Sequence, residues 1–105
     1  MATIAFLQEL EQLIRARLRE SPAGSYTAGL AGQGIVAVAQ KVGEEGVELA
    51  LAAVAEGRQE TIDESADLVF HVLLLLAVKD IPLAEVIATL EQRHRSRTAR
   101  PSLTP

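Results

Sequence analysis

Two pairs of carboxylates, Glu45 with Glu48 and Glu64 with Asp67, are each three residues apart, the spacing that sets both members on one face of a helix. They lie in the most acidic stretch of the chain, where Glu44, Glu45, Glu48, Glu56, Glu60, Asp63, Glu64 and Asp67 face the single base Arg58. That stretch carries −7 in a protein of −4, so the negative charge is concentrated rather than scattered. Paired acids on a helix are commonly a solvated face. Two pairs meeting at one height would instead have to protonate or bind cations. Hard oxygen ligands of this kind suit Mg²⁺ or Mn²⁺, and Mg²⁺ usually enters proteins as a partner for substrate phosphates. Lys41, one turn before Glu44 and Glu45, is either an ion-pair partner on the helix or a phosphate contact.

Whether the pairs meet depends on the elements that carry them. Proline occurs only at positions 22, 82, 101 and 105, which leaves residues 23–81 free of the strongest helix breaker. Ile4, Leu7, Leu10, Ile14 and Leu18 mark an amphipathic first helix over residues 4–18. Six of the seven glycines fall between positions 24 and 46, so residues 21–33 are predicted to be mostly irregular. From about Gln33 to Glu56, Ile35, Ala39, Val42, Gly46, Leu49 and Ala53 repeat as a narrow packing stripe, with Glu45 at its edge. Gly57 reads as a helix stop in the left-handed conformation. A third helix follows from about Gln59 to Val78, and its second half is apolar almost all round, which calls for contact on more than one side. A partner subunit is the simplest source of that contact. Pro82 then opens a fourth helix carrying Leu83, Val86, Ile87 and Leu90 to about Arg93. In an antiparallel hairpin, residues equidistant from the turn lie side by side. Both acid pairs stand equally far from Glu56–Gly57, so all four carboxylates are predicted to converge.

The remaining composition narrows the function. One hundred and five residues, 49% hydrophobic and 23% charged, make one small globular domain over residues 1–95, followed by a basic, flexible tail over 96–105. With no cysteine, disulfides, cysteine-ligated metals and thiol nucleophiles are excluded. Leu68–Val78 is too short to cross a membrane, and no export signal is visible, so a cytoplasmic protein is expected. The net negative charge and the three aromatic residues, Phe6, Tyr26 and Phe70, speak against a nucleic-acid module. Gly29, Gly32 and Gly34 match neither phosphate-binding glycine fingerprint. Glu91 and His94 have the spacing of a di-iron ligand pair, but only one such pair exists. Arg93, Arg95, Arg97 and Arg100 form either a phosphate grip or a solvated tail, and His71 is either a satisfied core residue or a ligand. A helical dimerisation module whose acids are surface decoration stays open on these grounds.

Several segments together carry a more specific resemblance. Ser25-Tyr26-Thr27-Ala28-x-Leu30, Lys41-Val42-Gly43-Glu44-Glu45-x-x-Glu48, Glu64-x-x-Asp67-Leu68-x-x-His71 and Leu90-x-x-Arg93-His94 resemble the phosphoribosyl-ATP pyrophosphatase family. The acid pairs alone are similar to the wider MazG-like superfamily of all-α nucleoside triphosphate pyrophosphohydrolases. The resemblance implies a four-helix, antiparallel MazG-like bundle completed by dimerisation, and a cytoplasmic, Mg²⁺-dependent homodimeric enzyme. It would cleave phosphoribosyl-ATP to phosphoribosyl-AMP and pyrophosphate, the second step of histidine biosynthesis. By position, Glu45, Glu48, Glu64 and Asp67 would hold metal, and Glu44 would join them or orient the water. Lys41 and Arg93 would contact phosphates, while Ser25 and Tyr26 would touch ribose or base. A house-cleaning enzyme for non-standard nucleoside triphosphates is the alternative within the superfamily. Some family members are fused to the cyclohydrolase that acts next, for which this chain is expected to have no room. Ala31 and Phe70 depart from the bulky residue and the tyrosine of the family pattern.

Overall fold

The computed structural model describes residues 1–97, all-helical with no strand among them. Five helices follow one another: α1 (Phe6–Glu20), α2 (Tyr26–Gly32), α3 (Ile35–Ala55), α4 (Arg58–Val78) and α5 (Leu83–Ser96). The all-α class is as the sequence predicts, but the helix count is five rather than four. The additional helix is α2, inside the segment predicted to be irregular. Its glycines weaken it, yet the Ser25 hydroxyl accepts the Ala28 N–H at 3.1 Å and caps it. Burial of Thr27 and packing of Leu30 against the core then hold it in place. Tertiary burial overrides propensity in so short an element.

The core sits where α1, the start of α3 and the second half of α4 meet. Ile14, Val38, Leu73 and Leu74 are its buried members, with Leu7, Leu10, Leu18, Leu30 and Phe70 packed around them. The apolar run of α4 thus finds part of its cover on α1 and α2. Acids and bases at the junctions tie the ends together. Glu11 of α1 accepts the Leu83 N–H at 2.7 Å, satisfying a donor that the first turn of α5 leaves open, and Arg15 reaches Asp80 at 2.9 Å. Helix α5 itself buries no residue completely.

Helices α3 and α4 form the long antiparallel hairpin that carries the acids. Gly57 joins them, but not in the left-handed conformation. Its φ of −101° and ψ of −174° are extended, and it is the N-cap of α4 rather than the terminator of α3. The Glu60 carboxylate accepts the Gly57 N–H at 3.1 Å, and a Cβ on residue 57 would stand 2.9 Å from that carboxylate oxygen. Glycine is favoured here by the close approach of a capping side chain, not by backbone handedness.

The packed stripe of α3 is also turned relative to the predicted one. Its buried residues are Val38, Glu45 and Ala52, with Val42, Gly46 and Leu49 half-buried, whereas Ile35, Ala39 and Ala53 are exposed. The period is as predicted; the centre of the stripe is a glutamate. Of the predicted tail, Ser96 still belongs to α5, and residues 98–105, including Arg100, lie outside the described residues. No described helix is long and apolar enough to cross a membrane.

Candidate active site

The hairpin brings Glu45 and Glu48 of α3 against Glu64 of α4, one carboxylate oxygen from each lying within 4.8 Å of the others. Glu45 is only 5% exposed. Its Oε1 meets Lys41 Nζ at 3.2 Å, but its Oε2 is buried with no hydrogen-bond partner, as is Oε2 of Glu64. A buried acceptor left unpaired is expensive, and two on neighbouring acids call for a complement such as a proton, a water or a cation.

Electrostatics lead to the same place. Glu64 titrates above the ordinary carboxyl value: desolvation is the main cause, followed by a shared hydrogen bond with Glu48 and the negative charge of Glu48, Asp67 and Glu45. Without a cation, these neighbours favour the protonated form of Glu64. Lys41 is shifted the other way in charge, its ammonium favoured chiefly by the hydrogen bond to Glu45, against some desolvation and with help from Glu45, Tyr26 and Glu44. One ammonium cannot neutralise three converging carboxylates. Hard oxygen donors and two unpartnered buried oxygens are a donor set that fits a divalent cation such as Mg²⁺ or Mn²⁺.

The other residues singled out from the sequence are distributed around this centre. Asp67 is one turn beyond Glu64, exposed, close enough for its charge to act on Glu64, but outside the group of three. Glu44 is exposed, accepting from Gln40 Nε2 at 3.1 Å and standing 4.0 Å from Lys41. The Ser25 hydroxyl is occupied as the cap of α2. Tyr26, about half exposed, is tied through its hydroxyl to His71 Nε2 at 2.7 Å, and His71 Nδ1 lies 2.7 Å from the backbone oxygen of Asp67. Arg93 is in the exposed last turn of α5 and makes no ion pair with an acid among the described residues. The Tyr26–His71 bond had no sequence signal of its own, since 45 residues separate the partners.

Residues 7–94 match the family described as phosphoribosyl-ATP pyrophosphohydrolase. The chain belongs to the phosphoribosyl-ATP pyrophosphohydrolase family. A phosphoribosyl-ATP pyrophosphatase from Metallosphaera sedula is 52% identical over 87 residues, covering 83% of this chain and 94% of that protein. One from Pyrobaculum calidifontis is 51% identical over 87 residues, again 83% of this chain and 93% of the relative. A histidine biosynthesis bifunctional protein HisIE from Xanthomonas campestris pv. campestris is 51% identical over 90 residues, 86% of this chain. The chain spans 44% of the length of that bifunctional relative. Membership in the phosphoribosyl-ATP pyrophosphohydrolase family agrees with the resemblance read from the sequence.

Proposed function

We propose that the chain hydrolyses the bond between the α and β phosphates of phosphoribosyl-ATP, giving phosphoribosyl-AMP and pyrophosphate in histidine biosynthesis. The names of the phosphoribosyl-ATP pyrophosphatase relatives support the substrate, and the relative named for histidine biosynthesis supports the setting. The observation that carries the site is the pair of unpartnered buried oxygens, Glu45 Oε2 and Glu64 Oε2, inside a cluster of three acids. Glu45, Glu48 and Glu64 hold Mg²⁺, with Mn²⁺ as a substitute of the same coordination chemistry, and Asp67 joins them from the next turn of α4. Bound there, the metal supplies charge neutralisation of the diphosphate and polarisation of the phosphorus under attack.

The chain's own residues do the rest. Lys41 holds Glu45 in place and offers its remaining N–H donors to a phosphate oxygen. Glu44, exposed beside it, orients the attacking water. Tyr26 presents its open ring to the nucleoside, with Ser25 at the same edge, and Arg93 gathers phosphate charge from α5. The enzyme acts as a homodimer in the cytoplasm. Support for the dimer is the apolar surface that α3 and α4 leave open: Val47, Leu51 and Val54 on one, Ile62, Val69 and Val72 on the other.

The test is pyrophosphate release from phosphoribosyl-ATP and from a panel of free nucleoside triphosphates, with and without Mg²⁺. Mg²⁺-dependent turnover of phosphoribosyl-ATP is expected. Turnover of the panel alone would assign a house-cleaning enzyme, and turnover of nothing would leave a dimerisation module.

A further inference from the structure

We propose that His71 is a positioning residue, which latches the short helix α2 onto α4 through the Tyr26 hydroxyl and so fixes the place of the Tyr26 ring relative to Lys41 and the acid hairpin. The proposal rests on the reading that the acid cluster is the hydrolytic centre. His71 is 6% exposed. Its Nδ1 faces the Asp67 backbone oxygen at 2.7 Å, and because a carbonyl only accepts, Nδ1 carries the hydrogen. In the neutral ring Nε2 is then the bare nitrogen, and the Tyr26 hydroxyl donates to it at 2.7 Å. Both ring nitrogens are thereby engaged within the protein. His71 can neither ligate a metal nor accept a proton from water without releasing Tyr26.

The ring planes reinforce the latch. Phe70 meets the imidazole edge-on at 5.1 Å and Tyr26 meets it edge-on at 5.7 Å, so the imidazole cannot turn away from the hydroxyl without disturbing two aromatic contacts. Helix α2 needs this tie, being seven residues long with its own cap at Ser25. A helix so short owes its place to tertiary contacts, and Tyr26 is its first residue. The latch therefore sets where the open face of Tyr26 stands, and Tyr26 in turn lies within electrostatic reach of Lys41.

The test uses His71→Leu, His71→Gln, Tyr26→Phe and the double variant Tyr26→Phe/His71→Leu. Tyr26 is the sole tyrosine and the chain has no tryptophan, so its ultraviolet emission reports this hydroxyl alone. A phenol donating to imidazole is quenched; His71→Leu is expected to raise the emission, and His71→Gln, whose amide oxygen can accept the hydroxyl, to keep it low. In assays with Mg²⁺, His71→Leu and Tyr26→Phe are each expected to raise KM for phosphoribosyl-ATP about fivefold, the worth of one hydrogen bond, while kcat changes less than about twofold. His71→Gln restores KM, and the double variant is no worse than the worse single one. A fall in kcat of about a hundredfold, or a shifted Mg²⁺ requirement, would make His71 a proton carrier or ligand and overturn the proposal. So would additive KM effects, or a lowered melting temperature with KM unmoved. If the wild type leaves phosphoribosyl-ATP intact, the hydrolytic reading fails, and unchanged emission in His71→Leu then removes the latch as well.

Discussion

Lys41 Nζ stands 3.2 Å from Glu45 Oε1, a pair that ties up one oxygen of the most buried acid and leaves the other buried without a partner. The lysine orients the carboxylate; it does not neutralise the cluster. In the proposed function a cation supplies the missing complement.

Replacing Glu48 by Gln keeps shape and hydrogen bonding but removes one charge. Turnover of phosphoribosyl-ATP should fall by about a hundredfold or more, the scale on which transition-state charge stabilisation is lost, while circular dichroism remains that of the wild type. Near-normal turnover would remove Glu48 from the metal site.

Protons and cations should compete for Glu64. Its folded-state value lies above the ordinary 4.5, so between the two values the folded metal-free chain binds more protons at this site than the unfolded chain. By linkage, this contribution is fully present below pH 4.5 and is lost as pH rises through the folded value. Denaturant titrations without metal, wild type against Glu64→Gln, should show the wild type losing stability relative to the variant as pH rises above 4.5 through the folded value. Saturating Mg²⁺ should flatten that difference or reverse it. A difference rising with pH in the absence of metal would contradict the cluster's electrostatics.

Much of this arrangement is legible in the sequence, and the exceptions have physical causes. The hairpin of α3 and α4 follows from hydrophobic period and from a stop at residues 56–57, so the matching height of the acids could be reasoned out. The phase of the α3 stripe could not, because its centre is Glu45, and a buried charge is invisible to a reading built on apolar residues. Helix α2 was hidden by its glycines, being held by a cap and by distant partners rather than by propensity. At Gly57, glycine after a helix reads as a left-handed stop, whereas its backbone is extended and serves as the cap of the next helix. Asp67 pairs with Glu64 in sequence, yet Glu64 is half-buried and shares the group of three with the α3 acids while Asp67 is exposed, a distinction that spacing does not make.

Gly57→Ala discriminates between the two accounts of that turn. With φ at −101°, alanine meets no backbone penalty, and its Cβ displaces only the flexible end of Glu60. The loss should be about 1 kcal/mol, that of one capping interaction, measured by urea denaturation. A Gly34→Ala variant, at φ +102°, should lose more, on the order of 1–3 kcal/mol from strain.

The open apolar surface of the hairpin should be covered in solution. Sedimentation equilibrium is expected to give twice the chain mass, and Leu51→Glu, at a residue 59% exposed in the single chain, should shift the population toward monomer. A wild type that stays monomeric at every concentration would remove the dimer from the account.

Uptake of a divalent ion by the three-acid cluster separates the enzyme from a bare helical bundle most directly. Mn²⁺ binding followed by electron paramagnetic resonance, on wild type and on Glu64→Gln with the nucleotide product present, addresses this without relying on turnover. Saturable uptake by the wild type, weakened about tenfold or more in the variant, is the predicted result. No uptake by the wild type, or equal uptake by both, would contradict it.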